Sequence, residues 1–299
     1  MTKKEITGYL YAVFASLALA NSFIFSKLSF NYVDFFQFGF FWFFTGTIWN
    51  LIYLFTIRSQ NKFRFRPAVK NITFNLVLIS VLEAVATGLF YYAILIMENP
   101  GVVSFIGNLG PVLVVIFGVI FLKESFNKIQ FVGIVLAISG IFALSLNEFN
   151  SFEDLLKPGT QYVFLAALLF SIATIIARKK RAHIDAGVLS LIRAVILFTG
   201  FAIPVYIQKS SLLIPLKAWL LLSIGSFLEV FITIVFAYKS LQYIQAFKTS
   251  IIISTKGFFA LLSAWLFLHL IPQNIEIIGG IISIIGVLIV SIKSQSNPD

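Results

Sequence analysis

The sequence predicts an all-α membrane protein, with ten transmembrane helices arranged as two inverted five-helix repeats. Three observations lead there: the composition, the recurrence of long apolar runs, and a match of the chain to itself. Hydrophobic residues make up 59% of the 299 and charged residues only 11%, against roughly a quarter charged in a soluble domain. That excludes a soluble globule. Ten apolar runs lie near 6–26, 34–57, 72–97, 101–121, 129–147, 160–177, 187–207, 217–239, 244–268 and 275–292. Each is long enough to cross a hydrocarbon layer about 30 Å thick as a helix. Barrel strands alternate and run only about 9 to 11 residues, so these runs are not strands.

Taken in order, the first span follows Lys3 and Lys4 and contains Ala18-Leu19-Ala20, the pattern of a secretory signal and its cleavage site. The self-match argues for retention. An offset of 146 residues aligns 82–141 with 228–287 without a gap, pairing Glu83 with Glu229, Thr87 with Thr233, Gly133 with Gly279 and Gly140 with Gly286. Upstream, an offset of 151 pairs Gly8 with Gly159, Tyr11 with Tyr162 and Asp34 with Asp185. Cleaving the first span would leave four helices facing five. With five helices per repeat, the second copy must insert from the opposite side, the common plan of secondary transporters. The units are a first repeat 1–147, an extracytoplasmic linker 148–159, a second repeat 160–292 and a polar cytoplasmic tail 293–299.

The net charge of +10 is placed by topology. With the N-terminus in the cytoplasm, inside segments hold 15 Lys and Arg residues and outside links hold 4. This positive-inside bias puts both termini in the cytoplasm of a multi-pass protein of the inner or plasma membrane. The basic runs 58–70 and 178–181 read as topology anchors rather than a nucleic-acid surface. There is no cysteine, so no disulfide or thiolate site.

The run from Asn99-Pro100-Gly101 through Gly107-Asn108-Leu109-Gly110-Pro111 to Lys123-Glu124, followed by Gly133 and Ser139-Gly140, resembles the fourth and fifth helices of EamA-type transporters of the drug/metabolite transporter superfamily. The resemblance covers nearly the whole chain. It implies a central cavity lined by the first, third, fourth, sixth, eighth and ninth spans, with the fifth and tenth peripheral. The second copy departs from the pattern: Lys256 stands at the position of Gly110, Gly257 at that of Pro111 and Leu270 at that of Glu124.

Ionisable groups inside apolar spans cost about 2.5 to 3.5 kcal/mol each even on the lenient insertion scale, and they normally face protein or a wet cavity. Glu83 and Glu229 lie near the midpoints of the third and eighth spans. Acids held in low dielectric take up a proton more readily than in water, which suits proton coupling, and they also suit a substrate ammonium. The bland reading is that each only ties helices together. On the ninth span, Lys248, Thr249, Ile252, Thr255 and Lys256 share one face. Lys256 is a candidate for a substrate carboxylate or phosphate, or else a structural ion partner. Lys248, near the cytoplasmic end, binds substrate or snorkels. Thr233, Thr255 and Asn21 complete the candidate substrate set. Arg193, two turns into the seventh span, reads first as a snorkelling or gating residue. Tyr91, Tyr92 and Tyr238 read as packing, and Trp42 belongs to a group of tryptophans that includes interface anchors. No metal-ligand spacing, phosphate loop or nucleophile constellation is present, so neither an enzyme nor a cofactor is expected.

The expected function is alternating-access transport of small polar metabolites such as amino acids, by export or exchange, with protons as a candidate coupling ion. Two alternatives stand beside it: a transporter of phosphorylated or other organic anions that uses Lys248 and Lys256, and a membrane scaffold that transports nothing. The expected partners are a small-molecule substrate and the lipid bilayer, with no nucleic acid.

Overall fold

The computed structural model describes residues 2–60, 69–96, 106–143, 158–180, 185–269 and 273–291, and among them every regular element is a helix. The helices are α1 (Lys3–Ser29), α2 (Phe35–Gln60), α3 (Val69–Ile96), α4 (Leu109–Leu122), α5 (Lys128–Ala143), α6 (Thr160–Lys179), α7 (Ala186–Ile207), α8 (Leu216–Tyr243), α9 (Ala246–Ser254), α10 (Lys256–Leu268) and α11 (Asn274–Ser291). Seven of them, α1, α2, α3, α6, α7, α8 and α11, are long and apolar enough to cross a membrane. The linker residues 148–157, the tail 293–299, Ser104, Arg181, His183 and Leu270 lie outside the described residues.

Local chemistry sets the helix starts. Thr2 and Glu5 cap each other at the head of α1. Asp34 accepts from the backbone N–H groups of Phe36 and Gln37, and Asp185 does the same for Gly187 and Val188, so the aspartates paired by the self-match open α2 and α7 alike. Asn127 and Gln130 exchange bonds at the head of α5.

Two spans differ from expectation. The run 244–268 is not one helix: the ladder breaks at Thr255, between α9 and α10. The span expected at 101–121 has its helix α4 from Leu109, after a turn at Asn108. Pro111 accounts for the second break, since it has no N–H to give and is tolerated only in a first turn. The breaks fall within one residue of each other in the two aligned segments, since Thr255 matches Leu109.

The helices pack in pairs: α1 against α8, α3 against α6, α2 against α7, and α5 against α11. Helix α4 lies against α6 and α9, while α1 also touches α9 and α10. The α5 and α11 backbones meet at glycines. A Cβ on Gly140 would stand 2.4 Å from the Ser283 nitrogen, and one on Gly286 2.3 Å from that of Ala137. Outward-facing residues such as Phe55, Phe74, Ile120 and Leu288 are apolar, as a lipid-facing surface requires, whereas Trp42, Phe38 and Phe43 fill the interior. Tyr9 donates to the Ser291 carbonyl at 3.5 Å and Gly8 abuts Tyr243 and Ile244, which puts the head of α1 and the tails of α8 and α11 at one end of the bundle.

Candidate functional site

The two acids flagged by the sequence meet around one arginine. Glu83, on α3, and Glu229, on α8, approach Arg193 of α7 from either side: Glu83 Oε2 lies 3.5 Å from Arg193 Nε, and Glu229 Oε1 lies 3.7 Å from Nη2. Arg193 Nη2 also donates to Thr87 Oγ1 at 2.9 Å. The guanidinium is 2% exposed and stands 6.0 Å from the centre of the Phe43 ring. Among the described residues its Nε and Nη1 find no hydrogen-bond partner.

Neutral donors complete the shell around the carboxylates. Trp42 Nε1 donates to Glu229 Oε2 at 2.6 Å, and Tyr91 donates to the same oxygen at 3.3 Å. Tyr238 donates to Glu83 Oε1 at 2.7 Å. Trp42 is therefore no interface anchor; it is 1% exposed and bonded inside the bundle. Tyr91 and Tyr238 carry polar bonds where packing was expected, while Tyr92 is exposed on the surface and stacks edge-on against Tyr162. With both acids ionised, this cluster of two carboxylates and one guanidinium keeps one uncompensated negative charge in a low-dielectric setting, which needs a cation or a proton to balance it.

The backbone of α8 is shaped for this. From Phe227 to Thr233 it widens into a π-helical turn that contains Glu229. Such turns shift every later side chain around the helix axis and are frequent at functional sites. Ser226, Thr233 and Ser240, placed on one face with Glu229 by regular spacing, bond elsewhere. Ser226 bonds Thr45 at 2.7 Å, Thr233 donates to the carbonyls of Leu228 and Ala15, and Ser240 bonds Thr249 at 2.9 Å.

Lys256 opens α10 just past the break. Its amine lies 6.0 Å from the Phe23 ring centre, and among the described residues no carboxylate stands within ion-pair distance of it. Glu229 acts on it electrostatically from farther off. Lys248 is 8% exposed, cradled 5.9 Å from the Tyr9 and Phe247 ring centres, and likewise has no carboxylate in ion-pair range among the described residues. Thr255 is buried against Ser16 Oγ at 3.2 Å and donates to the Ile252 carbonyl. Asn21 donates to the Leu17 carbonyl of its own helix at 2.9 Å. Of the seven candidate substrate residues, then, Glu83 and Glu229 are united, Lys256 and Lys248 have no carboxylate within ion-pair distance among the described residues, and Thr233, Thr255 and Asn21 spend their donors on backbone carbonyls.

Arg193 is the centre that the sequence reading placed elsewhere. Two signals pointed to it: two acids in apolar spans call for a counter-charge, and Arg193 aligns with Trp42, which touches the same Glu229. Among the described residues, no group of three His, Cys, Asp or Glu side chains is placed to hold a metal ion.

The model of the EamA-like transporter family matches residues 6–146 and 157–292. An uncharacterized transporter of Synechocystis sp. is 27% identical over 222 residues, which is 69% of this chain and 62% of that protein's length. One solved crystal structure of a protein superposes with a TM-score of 0.76 over 94% of this chain and 95% of its own, at 14% identity, a likeness of fold.

Proposed function

From the premise that the chain belongs to the EamA-like transporter family, and so is a membrane transporter, we propose that it moves a small polar metabolite bearing a carboxylate, with amino acids as the leading class, by alternating access. The observation that carries the reading is the buried Glu83–Arg193–Glu229 cluster, assembled from both halves of the chain. Lys256, which has no carboxylate within ion-pair distance among the described residues, is the group that receives the substrate carboxylate; the negative excess of the cluster receives the substrate ammonium or a proton.

The architecture proposed with it is ten crossings as two inverted repeats, 1–147 and 160–292, joined by an extracytoplasmic linker and closed by a cytoplasmic tail, in the inner or plasma membrane. Exchanging each helix with its counterpart five crossings on leaves the packing scheme unchanged, counting α9 and α10 as one crossing: α1 with α8 becomes α6 with α3, while α2 with α7 and α5 with α11 map onto themselves. At the acids, Trp42 reaches Glu229 and its sequence counterpart Arg193 reaches Glu83. Both features support a twofold relation between the halves.

In proteoliposomes, Glu229→Gln abolishes transport driven by a pH gradient and spares exchange if the cluster carries the proton; unaltered gradient-driven flux rejects that role. Lys256→Ala weakens affinity for an anionic substrate by about tenfold, the equivalent of one lost charged hydrogen bond, and leaves a neutral analogue unaffected. A second reading, a carrier of phosphorylated or other organic anions, is favoured by Lys248 having no carboxylate within ion-pair distance among the described residues, and competition by phosphate esters at low concentration would select it.

A further inference from the structure

At the end of the bundle that holds the head of α1, a second buried charged cluster joins four helices away from the midplane acids. Glu124, just past α4, is 9% exposed, and its carboxylate accepts the backbone N–H groups of Ala246 at 2.8 Å and Phe247 at 3.3 Å. It thereby caps the N-terminus of α9 from a different helix, where an anion is favoured by the free N–H groups and the helix dipole. Arg178, in the last turn of α6, places Nε 3.6 Å from Glu124 Oε1 and donates through Nη1 to the Leu241 carbonyl near the end of α8. The backbone aims Glu124 at this point. Lys123 takes a left-handed conformation, φ 53°, and the Glu124 N–H bonds back to the Gly118 carbonyl. Gly118 leaves room for the side chain, since a Cβ there would stand 2.9 Å from Glu124 Oε2.

In the aligned sequence of the second half Leu270 occupies the position that matches Glu124. The acid of the latch is therefore not repeated at that position. We infer that Glu124 and Arg178 form a latch that holds α4 and α6 of the first half against α8 and α9 of the second, closing the route to the site from the end that carries the N-terminus, and that this biases the resting transporter towards opening at the other end. The inference rests on the alternating-access reading, but its test reads accessibility rather than transport.

The chain has no cysteine, so a single introduced thiol reports cleanly. Val114, 3% exposed, belongs to the same buried core as Ala177, which precedes Arg178, and as Leu241 and Ala246, which bond the latch residues. In the Val114→Cys protein in oriented vesicles, labelling by a membrane-impermeant thiol reagent from the N-terminal side is expected to be slow. Glu124→Leu, which copies the second half, and Arg178→Gln, which leaves the α9 cap in place, should each speed it, by about tenfold and by a smaller factor respectively. Both are scored only beside a retained single thermal transition. A folded Glu124→Leu variant labelled at the parent rate overturns the latch. If Glu124→Leu does not fold, the Arg178→Gln rate alone decides, and an unchanged rate there overturns it equally. Faster labelling in a protein that carries no solute would sustain the latch while refuting the transport assignment.

Discussion

At the scale of the residue, Arg193 holds together two buried acids, Glu83 and Glu229. Removing Arg193 alone leaves two carboxylates facing each other out of water, and breaking such a cluster costs about 3 to 5 kcal/mol. Arg193→Leu should accordingly lower the thermal unfolding temperature in detergent by several degrees, and adding Glu83→Gln and Glu229→Gln should restore most of the loss. An Arg193→Leu protein as stable as the parent would mean that the acids do not depend on it. Trp42→Phe keeps the ring in its pocket and removes only the bond to Glu229. Transport should fall, but by less than in Glu229→Gln, as a kinetic comparison of the two variants will show.

The acids stood out in the sequence because a carboxylate in the middle of an apolar run is costly unless it faces protein or a wet cavity. Arg193 did not, since a residue two turns into a span fits a snorkelling side chain equally well until the packing of α3, α7 and α8 decides which way it points. The bonds made by the side-chain donors of Thr233 and Asn21 were hidden for a related reason. Their partners are carbonyls of the same or a neighbouring backbone, which sequence spacing does not reveal.

At the scale of the element, the apolar spans gave away nearly all the helices but not their irregularities. The π-helical turn at Phe227–Thr233 leaves no mark in composition, and the break at Thr255 was hidden inside what read as one polar stripe. The alignment of Gly257 with Pro111 hinted at it, because the proline forces the equivalent break in the first half. Ser16 donates to the Ile253 carbonyl at this break and Ser171 donates to the Gly110 carbonyl at the other, so α1 and α6 each staple one.

The glycines of α5 and α11, spaced seven apart, stand where the two backbones meet, and they yield a test confined to these elements. Gly140→Ala drives a methyl into the Ser283 backbone and should destabilise by about 1 to 3 kcal/mol without altering substrate affinity. Gly200→Ala, which meets nothing within 4 Å, should be neutral or slightly stabilising. Paired unfolding scans and binding curves on the two variants distinguish a packing seam from a site.

At the scale of the whole molecule, the chain belongs to the EamA-like transporter family, and among the described residues every regular element is a helix. The proposed mechanism adds that charged groups contributed by both halves meet in one place and serve one solute. The sequence conveyed the two-part plan through its self-match, while the meeting of the parts at Arg193 needed coordinates. Counterflow in proteoliposomes tests that union directly. Vesicles loaded with a mixture of unlabelled amino acids and small carboxylates are offered the labelled compounds, and accumulation is followed for the parent chain, Glu229→Gln and Lys256→Ala. The expected result is accumulation of at least one carboxylate-bearing solute far above empty vesicles, with its affinity weakened in Lys256→Ala and its exchange retained in Glu229→Gln. Accumulation no greater than in empty vesicles across the whole mixture, or a Lys256→Ala curve that overlays the parent, would contradict the account.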